Sequence, residues 1–208
     1  MHIELTEMLR CPETHEEAFL VMSTGEMVGR MVRSGILGCP ICRREYAIVR
    51  GVVNFSGPGT GEGLPPRQKY AVAAGAPPRS PDAQTLQALL DLSGPGGYVV
   101  LVGSAARHAV GLAGLMGGIH FVAINAPSEV EELPVLSLLA CAKMIPLRGA
   151  MARSLVVGAD WAGDPWLGEA QRVLLRGRRL VIEAERVNPP SGVTQLAIGE
   201  GLWVGEKR

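Results

Sequence analysis

Residues 57–81 read GPGTGEGLPPRQKYAVAAGAPPRSP, and 11 of these 25 are glycine or proline. Proline removes a backbone donor and clashes inside a helix, and glycine costs entropy in any regular element. The stretch therefore cannot sustain a long helix or a central strand. It divides the 208-residue chain into two units, 1–55 and 83–208, joined by a linker over 56–82. A short ordered piece is expected around 68–74. The first unit has only Phe19, Tyr46 and Phe55 as aromatics. So small a unit builds a thin core, and a metal staple would help it fold.

The cysteines supply a candidate staple. Cys11, Cys39 and Cys42 cluster in the first unit, whereas Cys141 sits far away in an apolar run and reads as a buried, inert thiol. The first residues, Met-His-Ile-Glu-Leu-Thr-Glu, are acidic and amphipathic and make no secretory signal. A cytoplasmic setting is expected, where clustered cysteines favour metal over disulfides. Cys39-Pro-Ile-Cys42 is a Cys-x2-Cys knuckle. Cys11-Pro12 opens a matching one, but Thr14 stands where the second cysteine belongs and His15 follows it. Zinc takes four ligands in a tetrahedron, and three cysteines with one histidine are an ordinary structural set. Cys11, His15, Cys39 and Cys42 complete it if the first knuckle stretches by one residue. Glu13, Glu16 and water compete for the fourth position, and the bland alternative is three cysteines packed without metal. A closed site of four ligands has no open position and carries no catalysis.

Leu5-x3-Leu9-x-Cys11-Pro12, Cys39-Pro-x-Cys42 and Tyr46-x-Ile48-x-x-Gly51-Val-Val together resemble the small zinc-ribbon activator subunit of tRNA and translation-factor methyltransferases. The resemblance covers residues 3–55. It implies a ribbon that donates a strand edge and apolar residues to a methyltransferase-type domain. On that basis Ile48, Val49, Val52, Val53 and Phe55 are expected either to dock on 83–208 or to form a surface for another chain.

The second unit alternates apolar strand-like runs with helical ones. Strands are expected at 98–102, 119–124, 144–147, 154–158 and 179–184, with a hairpin over 193–205. Helices are expected at 105–116, from Ser128 to about Ala142 with Glu131 closing a capping box, and from Pro165 to about 176. Uniformly apolar strands alternating with helices mean a mostly parallel sheet covered on both faces. The fold class is therefore α/β: a small ribbon plus a Rossmann-like sheet with a C-terminal β-hairpin. Residues 108–128 lack Asp, Glu, Lys and Arg. Gly117-Gly118, His120, Asn125 and Pro127 interrupt that stretch, so it is read as a helix and a buried strand rather than a membrane span.

Val99-Val-Leu-Val-Gly103-Ser-Ala-Ala-Arg107 and Ala170-Gln-Arg-Val-Leu-Leu-Arg-Gly-Arg-Arg-Leu-Val-Ile-Glu183 resemble segments of class I S-adenosylmethionine (SAM)-dependent methyltransferases. The resemblance covers about 83–208 and implies a cofactor turn at Gly103, Ser104 and Ala105, with Asn125 at the ribose position. The departures are specific. Leu101 replaces an acid, Ala105 and Arg107 replace glycines, and Asn125 replaces the acid that binds ribose. Arg107 would also bring a cation towards a sulfonium. Losing a charged hydrogen bond alone costs about 1–3 kcal/mol, and about 1.4 kcal/mol is tenfold in affinity. The pocket is thus expected to be vestigial, without SAM. An active enzyme with an atypical pocket is the rival reading. Ser104, Arg107 and His108 at a helix start could take an anion, or form a merely solvated helix end.

Lys+Arg and Asp+Glu each total 20, so the net charge is zero and nothing marks a nucleic-acid surface. Hydrophobic residues make up 47% and charged ones 19%, and Leu133–Ala142 is almost unbroken in apolar residues. Such a chain is expected to cover apolar surface with a protein partner or a second copy. The overall expectation is a non-catalytic interaction or assembly subunit.

Overall fold

A computed structural model describes residues 1–56, 81–130 and 132–208. Most of the expected linker, its ordered piece at 68–74 and the capping-box Glu131 lie outside the described residues.

The first unit supplies β1 (Val21–Thr24), β2 (Met27–Val28), β3 (Met31–Val32), β4 (Gly35–Gly38), β5 (Glu45–Val49) and β6 (Val52–Asn54). The second supplies α1 (Ala83–Leu89), β7 (Tyr98–Val102), α2 (Ala109–Leu115), β8 (His120–Ile124), β9 (Leu136–Ala140), β10 (Ala152–Val157), α3 (Trp166–Val173), β11 (Arg179–Ile182), β12 (Val193–Gly199) and β13 (Leu202–Lys207). One sheet runs through both, in the order β1-β4-β5-β6-β9-β8-β7-β10-β11-β13-β12, while β2 and β3 form a separate pair.

From β9 to β11 the strands are parallel, and β13 and β12 close that edge as an antiparallel hairpin. The chain winds outward from β7 in both directions, so its order reverses between β7 and β10. This is a Rossmann-like, mostly parallel sheet with a C-terminal hairpin, as expected. Alternate side chains explain why its strands read as unbroken apolar runs. Val100 and Val102 of β7 join one core, and Val99 and Leu101 join the other. Leu101, where the resembled family carries an acid, is fully buried. Asp82 caps α1 by accepting a hydrogen bond from the Thr85 N–H at 2.8 Å.

The two units meet in the ladder itself. Val52, Val53 and Asn54 of β6 pair in parallel with Leu138, Leu139 and Ala140 of β9. The Phe55 N–H then donates to the Ala140 carbonyl at 2.7 Å. Of the two outcomes expected for the first unit's apolar strands, docking on 83–208 is the one observed. Val49 alone of the five stays exposed.

Several local expectations are corrected. The helix expected from Ser128 to about Ala142 is instead strand β9, an interior strand between β6 and β8. Its side chains enter both cores, Leu136 and Leu138 on one face and Leu139 on the other. A short apolar run reads alike for a buried helix and a two-sided strand, and the sheet decided. The Leu133–Ala142 run is therefore largely internal rather than a surface that needs covering. The strand expected at 144–147 is only a single antiparallel bridge, Leu147 to Leu9. The helix expected at 105–116 begins as a 3-10 turn, Gly103–His108, before α2. Among the described residues no helix is long and apolar enough to cross a membrane.

Candidate functional sites

Four expected metal ligands converge. The ligand atoms of Cys11, His15, Cys39 and Cys42 all lie within 4.8 Å of one another. Cys11 Sγ is 3.7 Å from Cys42 Sγ, and Cys39 Sγ is 3.4 Å from His15 Nε2. A zinc tetrahedron with bonds of about 2.3 Å to sulfur and about 2.0 Å to nitrogen sets those separations at about 3.8 and 3.5 Å. The residues fit the ion.

Local backbone builds this site. In the second knuckle the Cys39 N–H donates to the Arg44 carbonyl at 2.8 Å, and the Arg43 N–H donates to the Cys39 carbonyl at 2.9 Å. Closing that turn puts Arg43 at φ +59°, a conformation that favours glycine. Burial pushes the Cys39 thiol up, but the N–H groups of Cys42 and Ile41 outweigh it and bring the thiol down to about 7. Burial raises Cys11 to about 11 despite a hydrogen bond with the Tyr46 hydroxyl at 3.1 Å. A divalent cation would hold both sulfurs as thiolates. His15 Nδ1–H donates to the Glu16 carbonyl at 2.6 Å, which leaves Nε2 as the ligand atom. Of the competing carboxylates, Glu13 is paired with Arg44 at 3.0 Å. Tyr46 and the Glu16 carbonyl are partners that sequence reasoning did not assign. The tyrosine lay within the motif, but its hydroxyl contact is tertiary.

The glycine turn sits where the sheet order reverses, the usual place for a ligand crevice in an open α/β sheet. Gly103 takes φ +63°, as a strand-to-helix turn requires. Its surroundings, however, are filled by the chain itself. A Cβ at Gly103 would lie 2.0 Å from Trp161 Cδ1 and 2.7 Å from Asp160 Oδ1. The Ser104 N–H donates to both Asp160 oxygens, at 3.0 and 3.2 Å, and its hydroxyl donates to Oδ1 at 2.6 Å. The anion at this helix start is thus the Asp160 carboxylate. Trp161 is buried and meets Trp166 edge-on, with ring centroids 4.3 Å apart. Ala105 is fully buried behind the turn.

Asn125 is also engaged. Its Nδ2 donates to the Cys141 carbonyl at 2.9 Å, and its Oδ1 accepts the Cys141 N–H at 2.8 Å. The side chain acts as one more rung between the ends of β8 and β9. Arg107 does not enter the crevice; it pairs with exposed Glu129 at 2.6 Å. His108 Nε2 lies 2.6 Å from Glu183 Oε1, a nearly buried pair between the turn and the end of β11. Asp160 and Glu183 lie 56 and 75 residues from their partners, and nothing in the local sequence pairs them.

No family model matches the chain, and no curated protein matches it. Solved structures do. A SAM-dependent methyltransferase from Aquifex aeolicus aligns at 16% identity and TM-score 0.43, over 60% of this chain and 87% of that one. Geranyl diphosphate methyltransferase bound to GPP and sinefungin aligns at 18% identity and TM-score 0.41, over 48% and 42%. The complex between the Haloferax volcanii Trm112 methyltransferase activator and the putative methyltransferase aligns at 16% and 0.39, over 48% and 50%. The chain thus spans half or less of the latter two, and likenesses of this identity and TM-score assign neither a family nor an activity to it.

Proposed function

We propose that this chain is a non-catalytic interaction or assembly subunit, in which a zinc ribbon is joined to a methyltransferase-like domain that has lost its cofactor. The observation that carries this reading is the packing of Asp160 and Trp161 on Gly103 and Ser104. The space into which a cofactor would approach the backbone is taken by two side chains of the same molecule. The bonding of Asn125 to Cys141 adds to it, since a side chain that bridges two strands is spent. Gly103, Ser104, Ala105 and Asn125 are then a vestige of a cofactor pocket.

Cys11, His15, Cys39 and Cys42 would hold one structural zinc, which supplies cross-linking and no reaction. The ribbon resembles methyltransferase activators, and here it continues the sheet of a methyltransferase-like half in the same chain. Exposed Phe19, Val21 and Ile36 towards one edge of the sheet, and Leu196 and Ile198 on the other, favour a protein partner or a second copy. Clustered reduced thiols suit a cytoplasmic setting. Calorimetric titration of the full chain with SAM should give no saturable heat at micromolar concentrations. Saturable micromolar binding would overturn the reading in favour of an active enzyme with an atypical pocket.

A further inference from the structure

The loop that carries two of the four ligands is also fastened to the second half. Leu9 and Leu147 form an antiparallel bridge, and both are buried. The Arg10 N–H donates to the Pro146 carbonyl at 3.1 Å, and the Arg148 N–H donates to the Met8 carbonyl at 2.9 Å. Cys11 is the next residue. The bridge of Arg10 to Phe19 closes the loop from the other side. Glu17, within that loop, accepts from Arg148 Nε at 3.0 Å and from Arg10 Nη1 at 3.1 Å. The Arg148 guanidinium also stacks 4.4 Å over the Phe19 ring.

The contacts continue inward. The Ile145 N–H donates to Glu169 Oε2 at 3.0 Å. Arg172 donates to the Leu147 and Ile145 carbonyls at 2.8 and 2.7 Å, and pairs with Glu169 at 2.6 Å. Glu169 and Arg172 belong to α3, whose first residue, Trp166, touches Trp161. Packed residues thus lead from the quartet to the element that fills the glycine turn.

We infer that the quartet is a latch on the second half. A metal ion there orders the 11–19 loop, the loop seats residues 144–148, and these seat α3 through Glu169 and Arg172. The inference rests on the zinc reading above. Its physical content is coupling: a loop fixed at one end by metal has less entropy to lose when it docks at the other. Coupling is reciprocal: the metal strengthens docking by the same factor by which docking strengthens metal binding, so a variant that undocks the loop lowers metal affinity by up to that factor.

The test uses the full chain. Elemental analysis first measures zinc, and hydrogen–deuterium exchange then compares loaded protein with protein treated with a chelator. Chelation should speed exchange over 144–149 about tenfold or more while β7 and β8 stay protected. An absence of zinc would sink the metal reading and the latch together. Bound zinc with unchanged exchange at 144–149 would overturn the latch alone. Loss of protection through β7 and β8 would overturn it too, because the metal would then hold the whole fold. As a second measure, Arg148→Ala, which touches no ligand, should lower zinc affinity about fivefold in chelator competition. Exposed Arg176→Ala should leave that affinity unchanged. Equal affinities for wild type and Arg148→Ala, or equal losses in both variants, would remove the coupling.

Discussion

The cysteine cluster and the glycine turn have both drifted from the patterns they resemble, with opposite results. In the cluster the expected second cysteine is Thr14, yet His15 Nε2 reaches the same space, 3.4 Å from Cys39. A metal site needs four donor atoms at fixed distances and accepts them from more than one spacing. In the turn, Gly103 keeps its left-handed backbone, but Trp161 and Asp160 occupy the space in front of it. A cofactor site needs emptiness as well as shape, and a neighbouring side chain can remove emptiness without changing the turn. The four donor atoms thus still converge, whereas the space in front of the turn is filled by side chains.

The largest effect should come from Cys39→Ser. Structural zinc in small domains contributes about 10–16 kcal/mol of apparent binding energy. The variant should lose zinc in elemental analysis and lose the ribbon's dispersed amide signals in NMR. A wild type without zinc and a variant that stays folded would show that the cluster is only packed sulfur, and the contrast with the turn would fail.

Trp161→Ala comes next. Removing a buried tryptophan costs about 3–5 kcal/mol, read as a fall in the unfolding midpoint. If Trp161 is an integral filler of the crevice, stability falls. If it is a removable cover over a working pocket, stability barely changes and SAM binds.

Asn125→Asp separates two roles for that position. As a ribose ligand, aspartate would improve on asparagine. As a rung between strands, it can accept the Cys141 N–H but cannot donate to the Cys141 carbonyl. An unmet buried group costs about 1–3 kcal/mol, so the variant should be less stable in denaturant titration, with no gain in SAM binding. The smallest effect belongs to Arg43→Gly, which relieves a residue at φ +59°. It should stabilise the ribbon by about 1 kcal/mol and leave zinc content unchanged.

Much of this protein was legible without coordinates. Short spacing pairs Cys11 with His15 and Cys39 with Cys42 as candidate donors, while the meeting of the two pairs, 24 and 31 residues apart at their contacts, is tertiary. Strands β7, β8, β10 and β11 carry apolar runs of three to five residues, and Gly103 follows β7 directly. What failed was β9, because Leu136-Ser-Leu-Leu-Ala has no period that tells a buried strand from a buried helix. Its identity depends on neighbours at Val52–Asn54 and Phe121–Ile124 that the local sequence does not contain.

The sequence by itself determined which residues could serve as metal donors, the parallel sheet with its hairpin, and the departures at Leu101, Ala105, Arg107 and Asn125. Each is a matter of residue type and short-range spacing. Only the tertiary structure decided that the first unit continues the second unit's sheet, that Asp160 and Trp161 fill the space before Gly103, and that Arg148 and Glu17 tie the 11–19 loop to the second unit. Those contacts join residues 56 to 131 positions apart. Their energies depend on which surfaces meet once the strands have paired, and no local propensity records that.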